Sequence, residues 1–228
     1  GYDADSDVSI VFFDNKYAEL KEELTENEFT DLIEKGVNKS TLEAAYSKKG
    51  NTYLINEEVS DEDVLKLSKK LNRLNTLYII DSGEGMTQKV IRDHWMTIGT
   101  DNKALNVFTK SGKVKSGAKG IGRFALDKLG GRCEMTTVFN PKNHEVDVDE
   151  YGNKTGYTGY KWNVHWDDFE GDFKTIDSVE ADLEGLDTGN LKTELEEKIP
   201  ELDIANIKTK QKFKYGTILK ISDLRDNW

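Results

Sequence analysis

Two hydrophobic periods alternate along this chain, and the places where one gives way to the other divide it. Val8-Ser9-Ile10-Val11-Phe12-Phe13 and Leu77-Tyr78-Ile79-Ile80 are short β-branched and aromatic runs that read as strands. Between them, at about 14–75, the pattern turns largely helical. Thr25-Glu26-Asn27-Glu28 and Ser40-Thr41-Leu42-Glu43 both fit the capping box, in which a hydroxyl and a glutamate satisfy orphan amides at a helix start. Gly36 suits a helix stop. Ser60 begins a third helix, whose Val64, Leu67, Leu71 and Leu74 fall on one face as a core stripe would. Met86 to Met96 predicts a helix, followed by the turn Ile98-Gly99-Thr100 and a polar tract through Lys115 that reads as a mobile loop. Gly120 to Leu129 should be helical and Cys133 to Phe139 a strand. An acidic, variable insertion fills about 141–212, with a strand from Tyr157 to Trp166 and a helix from Leu191 to Ile199 inside it. Tyr215 to Ile221 is the last strand. The mixture predicts an α+β fold in a single domain over residues 1–228.

Composition narrows the class. The 228 residues are 36% hydrophobic and 33% charged, with 19 glycines and two prolines, which is globular rather than disordered. A net charge of −11 argues against a broad basic face, so direct nucleic-acid binding by this chain is disfavoured. With no signal peptide and no long apolar span, a cytoplasmic protein without its own membrane anchor is expected. Cys133, the single cysteine, lies in an apolar run and reads as a buried small hydrophobe. His94, His144 and His165 have no partners at metal-ligand spacing, so no zinc site is expected.

Candidate chemistry gathers at two glycine clusters. Asp81-Ser82-Gly83-Glu84-Gly85-Met86 puts a carboxylate at the end of an apolar strand with two glycines behind it. Such an aspartate can accept a hydrogen bond from an exocyclic amine such as that of adenine, while Gly83 and Gly85 let the backbone approach a flat base. The same spacing also describes ordinary turns. The second cluster, Gly117-Ala118-Lys119-Gly120-Ile121-Gly122-Arg123-Phe124-Ala125, opens a helix after the polar loop. Its exposed amides and helix N-terminus suit phosphate, with Lys119 or Arg123 as an added cation, although a solvated Lys119 or an Arg123 paired with a carboxylate is the plainer alternative. A Rossmann turn would need a preceding strand, and a P-loop would need Gly-Lys-Ser or Gly-Lys-Thr; neither is present.

These pieces, taken in order, resemble the GHKL ATPases, the group that includes gyrase, the heat-shock chaperone ATPase, sensor histidine kinases and MutL. Asp3-Ala4 resembles the end of the family's first motif, and Asp81, Gly83, Gly85 and Met86 its adenine-binding motif. Ile98-Gly99-Thr100 with Lys103 is similar to the segment before the lid, and Gly117, Gly120 and Gly122 to the lid-hinge glycines. Tyr215-Gly216-Thr217-Ile218 resembles the Gly-Thr element whose hydroxyl assists the adenine site. The Gly-x-Lys-Gly-Ile-Gly-Arg-Phe form, which takes in Lys119, Ile121, Arg123 and Phe124, is closest to the prokaryotic chaperone-like, MutL and MORC branch.

The resemblance implies a two-layer α/β sandwich of the Bergerat type, a mixed and mostly antiparallel sheet with helices on one face. It implies ATP and Mg2+ as ligands, a lid over about 100–117, and a homodimer clamped by ATP in the intact protein. The chain departs from the family at its start. The family's magnesium-binding asparagine lies three residues before the Asp of Asp-Ala, and its water-activating glutamate four residues earlier still. No residue of this sequence occupies either position, so the catalytic helix is expected to be truncated and this chain is expected to hydrolyse ATP poorly or not at all. A sensor-kinase-type phosphotransfer domain and a degenerate, non-hydrolysing regulatory module are the alternatives.

Overall fold

Strand backbones cannot satisfy their own amides and carbonyls, so the apolar runs must pair. The computed structural model of the protein describes residues 8–17, 19–95, 126–145, 147–149, 151–166 and 182–225. In chain order the elements begin with β1 (Ser9–Asp14), β2 (Glu23–Thr25), α1 (Glu26–Glu34), α2 (Lys39–Ala45), β3 (Tyr46–Lys49), β4 (Thr52–Ile55) and α3 (Asp61–Asn72). They continue with β5 (Thr76–Asp81), α4 (Gln88–Val90) running into a π-helical turn at Ile91–Trp95, α5 (Leu126–Leu129) and β6 (Gly130–Val138). The remainder comprises β7 (Gly159–His165), β8 (Asp182–Leu186), α6 (Leu191–Lys198) and β9 (Gly216–Leu224). The fold is α+β. By its internal contacts the chain divides into two units, one formed by Gly1–Phe12 with Leu77–Ile221 and the other by Phe13–Thr76 with Ser222–Trp228.

The first unit is built on a six-stranded sheet in the order β1-β5-β9-β6-β7-β8. β5 pairs antiparallel with β9, β6 with β7, and β7 with β8. Thr137 lies against Thr217 and Glu134 against Lys220, so β6 and β9 also run in opposite directions. Side chains alternate across the pleat. Tyr78 and Ile80 of β5, Val138 of β6 and Ile218 of β9 share one buried cluster with Leu191, Leu195 and Ile199 of α6. The other face carries Cys133 and Met135, cross-strand partners of Val164 and Trp162 on β7, and all four are buried. Cys133 is thus the small core hydrophobe its surroundings suggest, and burial pushes its thiol up to about 12.

The second unit holds the segment expected to be largely helical, and it contains a sheet as well. β2, β4 and β3 form a three-stranded antiparallel sheet. These strands escape sequence detection because they have three or four residues each, and Ser47-Lys48-Lys49 is an exposed edge with no apolar alternation. A core of Leu24, Phe29, Leu32, Leu42, Ala45, Leu67 and Leu71 joins the sheet to its helices. Thr25 and Glu28 form the expected capping box on α1. At the other end Gly36, at φ +91°, donates to the Ile33 carbonyl while Val37 reaches the Leu32 carbonyl, the paired bonds of a Schellman stop. Ser60 caps α3 by accepting the Asp63 amide at 3.1 Å. The box expected at Ser40 does not form. α2 starts two residues earlier than that box would place it, with Asn38 as its N-cap, because the Asn38 carbonyl takes the first helical amides from Thr41 and Leu42 and leaves Ser40 inside the first turn.

Two outcomes test the local energetics. Thr25→Ala should lower stability by about 1 kcal/mol in urea unfolding, the usual cost of losing a cap. Hydrogen bonds from Lys21 and Thr25 hold the Glu28 carboxyl at about 2, below its ordinary 4.5. Its contribution is therefore present above pH 4.5 and lost as pH falls through about 2. Because the pair is largely solvent-exposed, wild type should exceed Glu28→Gln by no more than about 1 kcal/mol near neutrality, and the gap should close on acidification.

Candidate functional site

The site is built where three strands of the first unit meet. β5 ends on Asp81, whose cross-strand partner on β9 is Thr217, so the two side chains lie on one face. The preceding pair, Ile80 and Ile218, points to the opposite face and into the α6 cluster. Thr137 of β6 extends the polar row: its Oγ1 lies 3.2 Å from Thr217 Oγ1. It donates to the Gly216 carbonyl at 3.1 Å and accepts the Met86 amide at 2.9 Å. Asp81, Thr217 and Thr137 are 8%, 7% and 0% exposed, so an apolar sheet carries a buried row of oxygen atoms.

The chain after Asp81 is held close to that row. Asp81 Oδ1 accepts the Gly83 amide at 2.9 Å, an Asx turn that gives the carboxylate a local partner. The turn geometry that this spacing also describes is therefore present, and Asp81 is not an unpaired carboxylate. Ser82 donates its amide to the Val8 carbonyl at 3.1 Å, and the Glu84 carbonyl accepts the Asn140 amide at 2.8 Å. Glu84 also takes Asn143 Nδ2 at 2.6 Å on one carboxylate oxygen and Gln211 Nε2 at 3.4 Å on the other. Gly85, at φ +67°, leaves no room for a side chain: a Cβ there would lie 2.1 Å from the Val138 carbonyl oxygen. Gly216 is as tightly placed, its Cβ position being 2.1 Å from the Asp81 carbonyl oxygen.

The approach to Thr217 is strained as well. Lys212 and Phe213 have φ of +50° and +53°, and the Lys214 amide closes the turn on the Gln211 carbonyl at 2.9 Å. Two consecutive left-handed residues other than glycine cost about 1–3 kcal/mol each. Burial of Phe213, together with the carbonyls of Phe213 and Lys214 that accept the first amides of α6, offsets that cost. On the far side of the row, Tyr160 of β7 is the cross-strand partner of Thr137. Burial raises its phenol, and the nearby Asp147 carboxylate adds to the shift. Asp147 in turn accepts the Gln88 amide at 2.9 Å at the start of α4.

No family model matches this chain, and no curated protein matches it. Asp81, Gly83, Gly85, Met86 and Thr217 are brought together. Asp3, Ala4, Thr100, Lys103, Gly117, Lys119, Gly120, Ile121, Gly122, Arg123 and Phe124 lie outside the described residues. Sequence reasoning passed over Thr137, Glu84, Asn143 and Gln211. For Thr137 a signal existed, a polar Thr136-Thr137 pair inside an otherwise apolar strand, but threonine is common in strands and the pair alone names no partner. The contacts suit recognition: Asp81 Oδ1 and Thr137 Oγ1 each accept a backbone amide, and the Thr137 and Thr217 hydroxyls lie within hydrogen-bond distance of each other. Among the described residues no group of three or more His, Cys, Asp or Glu converges on a possible metal position.

Glycine substitution separates crowding from backbone conformation. Gly50 and Gly85 have almost the same φ, +64° and +67°, but Gly50 has open space around its Cβ position. Gly50→Ala should cost about 1 kcal/mol, the left-handed penalty alone. Gly85→Ala should cost at least about 2 kcal/mol more, because backbone has to move. Chemical denaturation of the two variants checks the difference.

Proposed function

We propose that the first unit is the ATP-binding domain of a GHKL-type ATPase of Bergerat fold, in which ATP binding and hydrolysis drive lid closure and dimer clamping in the intact protein. The observation that carries this reading is the buried pairing of Asp81 with Thr217 beside a loop whose glycine backbone is in contact with the sheet. A buried carboxylate next to a buried hydroxyl is stabilised by a partner rich in N–H donors, and the exocyclic amine of adenine is one. These acceptor oxygens therefore fit the amine of the base. Asp81 would hold the amine, Thr217 would lie beside it, and the loop from Gly83 to Met86 would bring backbone against the ring.

Phosphate binding rests on the resemblance of Gly117, Lys119, Gly120, Gly122 and Arg123 to a lid hinge, with Thr100 and Lys103 before it. When bound, Mg2+ would neutralise phosphate charge. Hydrolysis would need a water-activating glutamate and a magnesium-binding asparagine, and no residue of this chain is assigned to either role. What these residues contribute is selection and orientation of the nucleotide.

Calorimetric titration with ATP is the test. Asp81→Asn should weaken ATP roughly tenfold or more, since a hydrogen bond to a charged group is worth about 1.5–3 kcal/mol. Unchanged affinity in a folded variant would remove Asp81 from the site, and the adenine reading with it.

A further inference from the structure

We infer that Thr137 is a positioning residue that fixes the direction of the Thr217 hydroxyl and thereby makes this site discriminate a 6-amino from a 6-oxo purine. The inference rests on the adenine reading of Asp81 and Thr217 and extends it to a residue that itself lies behind the pair.

The argument is a count of protons. A threonine hydroxyl has one hydrogen to give and two lone pairs that accept. Thr137 Oγ1 has three neighbours at hydrogen-bond distance: the Met86 amide at 2.9 Å, the Gly216 carbonyl at 3.1 Å and Thr217 Oγ1 at 3.2 Å. The amide can only donate, so it occupies one lone pair. The carbonyl can only accept, and Thr137 donates its single hydrogen there. What remains toward Thr217 is a lone pair, and the Thr217 hydroxyl satisfies it by donating. Thr217 is then left with lone pairs alone to offer elsewhere. With the Asp81 carboxylate as its cross-strand neighbour, the pair presents acceptors only.

Such a pair welcomes an amine, which brings two N–H donors, and opposes a carbonyl oxygen at the same place. The arrangement is buried: Thr137 is fully inaccessible, and the Gly216 carbonyl that fixes its proton belongs to a residue in contact with the Asp81 backbone. Rotating the Thr217 hydroxyl toward a ligand would leave a buried lone pair of Thr137 without a donor. Discrimination is thus set one residue behind the pair that would meet the base.

The test compares ATP with inosine triphosphate, which carries a 6-oxo group, using this 228-residue chain. Wild type should prefer ATP. Thr137→Val frees the Thr217 hydroxyl to donate, so the ratio of ATP to inosine triphosphate affinity should fall by roughly threefold to tenfold, the value of one neutral hydrogen bond. Thr137→Ser, which keeps the hydroxyl, should restore the ratio. A purely structural role would weaken both nucleotides alike and leave the ratio unchanged, which would overturn the inference. If Thr137→Val does not fold by circular dichroism, Thr137→Cys keeps the bulk with a far weaker donor and should narrow the ratio in the same direction; an unaltered ratio there would also overturn it. A wild type with no preference for ATP sinks the adenine reading itself, whereas a preferring wild type with an indifferent Thr137→Val sinks only the role of Thr137.

Discussion

Close approach of backbone to backbone at two glycines is the constraint on which the site depends. Gly216 brings the start of β9 against the end of β5, and Gly85 brings the following loop against the end of β6. Neither contact is itself strongly attractive. Both are permissive: they let Asp81, Thr217 and Thr137 lie side by side on three neighbouring strands and let the Met86 amide reach Thr137. A Cβ at either glycine would push apart the elements that hold these groups. The strained turn at Lys212 and Phe213 belongs to the same geometry, since it delivers the chain to Gly216 while its carbonyls receive the first amides of α6.

Placing polar groups in the middle of a sheet is costly, and the sheet meets that cost by division of its faces. Ile80 and Ile218 direct the apolar alternation of β5 and β9 onto α6, and their immediate neighbours Asp81 and Thr217 turn to the other side. A shift of one residue in the β5–β9 register would exchange the two sets, burying Asp81 among Leu191, Leu195 and Ile199. The α6 cluster therefore fixes where the carboxylate points even though it does not touch it. Packing on one face in this sense fixes the polar row on the other.

What the sequence discloses follows the range of the interactions involved. The capping box at Thr25, the stop at Gly36 and the cap at Ser60 are settled within four residues, and each can be read from its own neighbourhood. Ser40 shows the limit even there, because Asn38 competes for the same helix start two residues away. β2, β3, β4 and β8 are too short or too polar to display a period, and pairing with distant strands makes them strands. The spacing of Asp81, Gly83 and Gly85 announced a special loop, but the reason Gly85 must be glycine is the Val138 carbonyl, 53 positions further along the chain. The partners of Thr137 were beyond reach for the same reason, since they lie 51, 79 and 80 residues away.

That separation bears on how specificity can be encoded. On the proposed adenine reading, Asp81 alone would set a preference, because a carboxylate accepts and repels another acceptor. A hydroxyl is different, since it adapts to either kind of partner by rotation and so discriminates only when something else immobilises it. The hydroxyl next to that of Thr217 belongs to Thr137, which has two backbone partners, an amide that cannot accept and a carbonyl that cannot donate. Backbone groups have no rotational choice, so the two hydrogen bonds that Thr137 makes to them have a direction inherited from the backbone, and the proposed role of Thr137 is to pass that direction on to Thr217. On that proposal, the polarity offered to a ligand would be a property of the sheet, and of the glycines that let its strands come together.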